Sequence, residues 1–207
     1  MAIDDVYDEH EQGERVLAWL RRNGGALIGG VALGLAAIVG WNWWQARQAD
    51  EALALSARYQ SALSAAPADA AKQVGALPVG SAYRALAALR LAGTQVTAGQ
   101  RDAALATLQG IRTDDPGLQA VIDARIARLL IDAGQASKAL SLLAKADTAG
   151  AAEIRGDAHM ALKQRPQARE AYAQALRTLD VASPSRRLVE LKLTEAGGTP
   201  AKTEAKS

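Results

Sequence analysis

The sequence predicts an all-α protein: one N-terminal transmembrane helix followed by a domain of stacked helical hairpins. Three observations carry that prediction. The twenty-four residues between Arg22 and Arg47 hold no charge. The composition is 49% hydrophobic but only 4% aromatic, with no Phe and abundant Ala. Ala favours helix and close helix contact, whereas the β-branched and aromatic runs of a sheet protein are missing. Finally, a pattern of small and large apolar residues recurs downstream at near-constant spacing.

The uncharged stretch, residues 23–46, reads NGGALIGGVALGLAAIVGWNWWQA. At 1.5 Å per residue, the part from Gly24 to Trp44 spans roughly 31 Å, about the thickness of a bilayer's hydrocarbon core. Trp19 lies just upstream, and Trp41, Trp43 and Trp44 cluster at the downstream end. An amphipathic indole is favoured at headgroup depth, so these four Trp mark both interfaces. A cleaved secretory signal has a shorter apolar region and a small-residue cleavage site, and this run ends in Trp instead. A core helix of a soluble protein would need its whole apolar circumference covered. A single membrane anchor in contact with the lipid bilayer is the reading that remains.

Residues 1–22 form a short N-terminal segment. It carries Asp4, Asp5, Asp8, Glu9, Glu11 and Glu14 against Arg15, Arg21 and Arg22. Clustered carboxylates in such a segment are solvated rather than metal-binding. From Glu14 to Arg22 the spacing of Val16, Leu17, Trp19 and Leu20 predicts a helix turning into the membrane. Three Arg precede the span, while Arg47 and the more distant Arg58 follow it. Cations near the span set orientation and acids hardly count, so the segment is expected in the cytoplasm and the C-terminal domain in the periplasm. Within the span, Gly25 and Gly29, and again Gly30 and Gly34, are spaced four apart. That spacing admits a closely packed partner helix.

About 160 residues remain for one soluble domain, enough to bury its own core. Absence of cysteine excludes disulfides, thiolate metal sites and a Cys nucleophile. A net charge of +2 from 24 basic and 22 acidic residues is too even for a polyanion-binding surface, and nucleic acid is not an expected partner. Residues 47–79 are read as helical stalk and linker. Ala49, Ala52, Leu55, Tyr59 and Leu63 continue the membrane helix outward as an amphipathic stretch, Pro67 ends it, and a short helix over Ala70–Leu77 closes at Pro78.

Residues 80–196 contain the repeat. GQRDAALATLQGI from Gly99 and GQASKALSLLAKA from Gly134 align at an offset of 35, which also aligns the upstream stretches around Ala92 and Ala127. A third copy, around Gly156 and QRPQAREAYAQAL from Gln164, follows at an offset of 29, about six residues short. Small pairs twelve apart, Ala92 with Ala104, Ala127 with Ala139 and Gly156 with Ala168, are placed where two helices cross. Leu108, Leu143 and Tyr172 fill the space between successive pairs. A helix pair recurring about every 34 residues is the tetratricopeptide pattern, in which each hairpin covers the open face of the one before. Asp115 with Pro116 reads as N-cap and first helical position, and Ser183 with Pro184 as the same pair for a capping helix through Leu188, Leu191 and Glu195. The polar tail, residues 197–207, is expected to be disordered.

Catalytic chemistry finds no foothold in the chain, which is read as no enzyme. His10 and His159 fall on opposite sides of the expected membrane. GGALIGG lacks the Lys of a P-loop, and neither G-x-S-x-G nor H-E-x-x-H occurs. No cofactor and no metal is expected. A binding surface is: the first helix of each pair lines a groove in such arrays, giving Leu86, Leu89, Arg128, Asp132, Glu153, Asp157 and Met160 as candidate groove residues. Arg128 and Asp132 are also spaced as a surface ion pair.

Several stretches carry a more specific likeness. They are the N-G-G-A-L start of the span, its Gly40-Trp41 end, SARYQSAL, SAYRALAALRLA, AGQASKALSLL and the I-R-G-D-A of Ile154 to Ala158. With the acidic N-terminus, the chain resembles the YfgM-like family, the tetratricopeptide-type ancillary subunit of the bacterial SecYEG translocon. The likeness covers nearly the whole chain in order, and departs from the family in the shortened stretch before Ala151 and the polar tail. It implies an inner-membrane protein whose periplasmic domain works beside SecYEG with a membrane-anchored periplasmic chaperone of the prolyl-isomerase type, assisting newly exported polypeptides. It also implies a link, from the cytoplasmic side, to restraint of an envelope stress response. A scaffold for another envelope complex, a pilus or secretion machinery, shares the same fold and topology.

Overall fold

The computed structural model describes residues 4–200, with side chains from Gly13 onward, and among the described residues every regular element is helical. The acids before Gly13, His10 and the tail from residue 201 lie outside the described side chains. α1 runs over Asp4–Ser64, 61 residues, and the chain divides into two compact units within it, residues 1–55 and 56–207.

In the first unit, α1 holds the only stretch among the described residues long and apolar enough to cross a membrane. None of that apolar window is buried. Ile28, Leu33 and Val39 are 73%, 74% and 66% exposed, so none of the described residues covers the apolar circumference. Gly25, Gly29, Gly30 and Gly34 have open space where a Cβ would stand. At the downstream end the Trp41 and Trp44 rings lie 5.1 Å apart, and the Arg47 guanidinium sits 4.6 Å from the Trp43 ring centre.

The second unit holds the last turns of α1 and then α2 (Pro67–Gly75), α3 (Ala82–Thr97), α4 (Arg101–Gln109), α5 (Pro116–Asp132), α6 (Ala136–Leu142), α7 (Ala149–Ala161), α8 (Arg165–Thr178) and α9 (Arg186–Glu195). α3 packs on α4, α5 on α6 and α7 on α8, and α4 meets α5 as α6 meets α7. The expected crossing residues are buried: Ala104, Ala127, Ala139 and Ala168 are 0% exposed and Ala92 2%. Leu108, Leu143 and Tyr172 are each 2% exposed between hairpins. Fully burying a side chain of that size stabilises by roughly 1.5–3 kcal/mol. Gly156 serves a different neighbour from the one its spacing suggested: a Cβ there would fall 2.3 Å from Tyr172 Cε1, so glycine makes room for the ring.

Local chemistry accounts for the starts. Ser81, Asp115 and Thr148 each accept a hydrogen bond from the backbone N–H three residues on, at 3.2, 2.9 and 3.2 Å, satisfying a donor the helix cannot pair. Two expectations need correcting. Pro67 occupies the first turn of α2 rather than merely ending α1, because its missing N–H costs nothing there, so the helix begins three residues before Ala70 and stops at Gly75. Ser183 and Pro184 are not the cap and first turn of the last helix. They belong to a turn closed by Arg186 N–H on the Ser183 carbonyl at 3.0 Å, and α9 starts at Arg186.

The ends of α3, α5, α7 and α9 share one turn. The N–H groups of Gln100, Gln135, Gln164 and Gly198 reach back to the carbonyls of Gln95, Leu130, His159 and Leu193, all at 2.8 Å. The residue before each donor is left-handed: Gly99 (φ 76°), Gly134 (73°), Lys163 (59°) and Gly197 (86°). This Schellman geometry suits glycine, and Lys163 adopts it against its Cβ. α9 therefore ends as the first helix of a fourth pair would. The six residues missing between the second and third copies come off two helices. α6 ends two residues sooner than α4, α7 starts four later than α5, and the connecting loops are equally long.

Arginines hold the other ends. Arg84 donates to the carbonyls of Gly75 and Leu77, and Arg112 to those of Gln109 and Ile111. Arg155 donates to Leu143 and Ala146, and Arg186 to Leu176 and Leu179. Each guanidinium thus meets carbonyls left over at the end of the preceding second helix, where a cation is also favoured by the helix dipole.

Candidate partner-binding face

The first helices carry a face whose positions follow the repeat offsets. Leu86, Arg90 and Gly93 on α3 correspond to Val121, Arg125 and Arg128 on α5, then to Gly150, Ile154 and Asp157 on α7. Two recesses open along it. One, of about 580 Å³, is lined by Tyr59, Leu86, Leu89, Arg90, Thr94 and Arg125 among others. The other, of about 630 Å³, lies between α5 and the α6–α7 corner and takes in Val121, Asp123, Arg125, Arg128, Gly150 and Ile154. Arg125 borders both.

Apolar side chains stay exposed here, Leu86 and Val121 each at 44%. The cations outnumber the acids. Asp123 already accepts a hydrogen bond from Gln119 at 2.7 Å, and Arg125 donates to the Leu89 carbonyl at 3.3 Å. Arg90 and Arg128 are exposed on the same face.

The residues expected in the groove separate into two sets. Leu86, Leu89 and Arg128 line the recesses, although Leu89 is 6% exposed and mostly core. Asp132 is exposed beyond them, and no Arg128–Asp132 ion pair forms among the described residues. The other three face α9. Lys192 donates to Glu153 at 2.7 Å and to Asp157 at 2.8 Å, and the Tyr172 hydroxyl donates to the second oxygen of Asp157 at 2.8 Å. Met160 packs against the cluster of Tyr172, Val189 and Leu193. Burial alone would lower the Lys192 pKa, but its hydrogen bonds to Asp157 and Glu153 outweigh that and hold the ammonium above its ordinary value. The Tyr172 phenol is also raised, first by burial and then by the Asp157 hydrogen bond, so it stays protonated as a donor. His159 shares a 2.7 Å hydrogen bond with Gln164 at the α7–α8 turn.

Sequence reasoning missed Tyr59, Arg90, Val121 and Arg125. A signal for two of them existed, because Arg90 and Arg125 stand at the same offset of 35 that aligned the flanking alanines.

The comparisons with known proteins agree with this architecture. The tetratricopeptide repeat-like domain family matches residues 17–198. The "Ancillary SecYEG translocon subunit" of Escherichia coli (strain K12) is 32% identical over 201 residues, covering 91% of this chain and 97% of that protein. No solved structure matches the chain. A match over both the apolar helix and the array, and a relative aligned almost end to end, establish that the chain belongs to the tetratricopeptide repeat-like family, in its YfgM-like branch.

Proposed function

We propose that the protein is a non-enzymatic, inner-membrane-anchored binding module that works beside the SecYEG translocon. Its N-terminus lies in the cytoplasm, and its helical array in the periplasm handles newly exported polypeptides together with a membrane-anchored periplasmic chaperone. The carrying observation is the pair of recesses along α3, α5 and α7, which offer the exposed apolar side chains of Leu86 and Val121 and the cations Arg90 and Arg128, the two cations having no hydrogen-bond or ion-pair partner among the described residues. The relative's name supports the translocon as the site of action, and the exposed apolar span of α1 supports the anchor. Leu86 and Arg128 are the expected groove residues exposed on the open face, and Leu89 lies mostly in the core beneath it. Asp132 is exposed outside the recesses, and Glu153, Asp157 and Met160 engage α9 and its apolar cluster.

Photocrosslinkers at Leu86, Val121 and Arg128 in intact membranes test this reading. Adducts with translocon subunits and with exported chains caught in transit are expected. Adducts confined to components of a pilus or secretion apparatus would replace this reading with the envelope-scaffold one.

A further inference from the structure

The recesses differ from an ordinary apolar groove in their charge. In the second unit Arg84, Arg112, Arg155 and Arg186 hold helix-end carbonyls. Arg90 and Arg128 do not. They stand on α3 and α5, border the two recesses, and make no hydrogen bond or ion pair with the described residues. Arg125 lies between them with one donor on the Leu89 carbonyl and the rest of its guanidinium free. The acid that shares this face, Asp123, is occupied by Gln119. Accessible apolar positions lie beside these cations: Tyr59 and Leu86 border the same recess as Arg90, and Val121 the same recess as Arg128.

We propose that this face binds a polypeptide segment in which carboxylates alternate with large apolar side chains, the carboxylates meeting Arg90, Arg125 and Arg128. The proposal rests on the binding-module reading above and deepens it by naming the chemistry of the client. A guanidinium meets a carboxylate with two parallel hydrogen bonds, so three spaced arginines favour a segment that carries several acids over a neutral or basic one. Apolar side chains seated beside them exclude water and strengthen those bonds, while a basic segment meets like charge and is rejected. The acids of the third hairpin, Glu153 and Asp157, are engaged by Lys192 on α9, which offsets one of their two charges.

The test uses the full chain in nanodiscs of zwitterionic lipid and a fluorescent twelve-residue peptide of alternating Leu and Glu. Its probes for comparison are the same peptide with Gln or Lys at every Glu. The Glu peptide is expected to bind at least about tenfold tighter than the Gln peptide, and the Lys peptide not at all. Raising the salt from about 50 to about 300 mM should erase most of that preference, as the Debye length shrinks. The variant Arg90→Gln/Arg128→Gln should lose the preference, while Arg101→Gln/Arg177→Gln, exposed cations outside the recesses, should keep it. Matching thermal melts of both variants exclude misfolding as the cause. Equal binding of the Glu and Gln peptides, or a preference that survives in Arg90→Gln/Arg128→Gln, overturns the proposal. Crosslinks to the translocon that persist in that variant would leave the binding-module reading standing without it.

Discussion

A methyl group at residue 156 would collide with an aromatic ring that has nowhere to go. The Cβ of alanine there would lie 2.3, 2.5 and 2.8 Å from three carbons of the Tyr172 ring. That ring is 2% exposed and tethered through its hydroxyl to Asp157. Gly156→Ala is therefore expected to destabilise the domain by about 1–3 kcal/mol, despite the better helix propensity of Ala. Denaturant titration measures it, and a variant as stable as the parent would mean that α7 and α8 part freely. Lys163 predicts the opposite sign. It holds φ at 59° where Gly99, Gly134 and Gly197 stand in the corresponding turns. Lys163→Gly removes the Cβ strain of the left-handed region at some cost in unfolded-state entropy, for a net gain of roughly 0.5–1 kcal/mol. A lower melting temperature in that variant would show that the turn is not strained.

α9 closes the array through both apolar packing and charge, and the charge makes its hold depend on pH. Val189 and Leu193 enter the Tyr172 cluster, while Lys192 bridges back to Glu153 and Asp157 across more than thirty residues of sequence. Lys192 is raised above its ordinary 10.5 and Tyr172 above its ordinary 10.0. In both cases the folded state keeps a proton that the unfolded chain gives up. Their stabilisation is thus complete below about pH 10 and is lost as pH climbs through the folded-state values. The denaturation midpoint should stay level from neutral pH to about pH 10 and then fall. Lys192→Met should cost about 1–3 kcal/mol at neutral pH, allowing for solvent screening of a partly exposed pair, and should fall less steeply above pH 10. An unchanged alkaline limb in that variant would remove Lys192 from the account. These elements also show what could be read beforehand. Asp115 and Pro116 announce a helix start because a cap acts within three residues, and the offset of 35 reveals the hairpins because each copy must bury the same positions. Lys192 gives no such sign, since nothing local says that a lysine on the last helix meets acids two helices earlier. Lys163 is equally silent, because side-chain identity does not disclose a positive φ. Ser183 and Pro184 mislead for a related reason: the same dipeptide that starts a helix also makes a turn, and the Arg186 bond onto Ser183 decides for the turn.

For the molecule as a whole, what its binding face can meet depends on which side of the bilayer it occupies. The exposed apolar window of α1 needs lipid or a partner around it, and the charges at its two ends decide the direction of insertion. Arg15, Arg21 and Arg22 stand before the span. Arg47 follows it closely, with its guanidinium drawn over the Trp43 ring, and Arg58 lies a further eleven residues out. The cation excess on the N-terminal side favours keeping that end in the cytoplasm, and the acids near Met1 contribute little. Alkaline phosphatase fused after Ser207 should accordingly be active in intact cells, and a green fluorescent protein at the same place should stay dark. Because the margin is small, it should also be reversible. Arg21→Asn and Arg22→Asn, combined with Gln45→Lys and Gln48→Lys, place more cations after the span than before it, and a measurable share of the chains should then insert inverted. The parent fusion fluorescing with an inactive phosphatase would put the recesses in the cytoplasm, out of reach of any exported chain. An orientation indifferent to the four substitutions would mean that the folded array, rather than the flanking charges, dictates which way the helix enters.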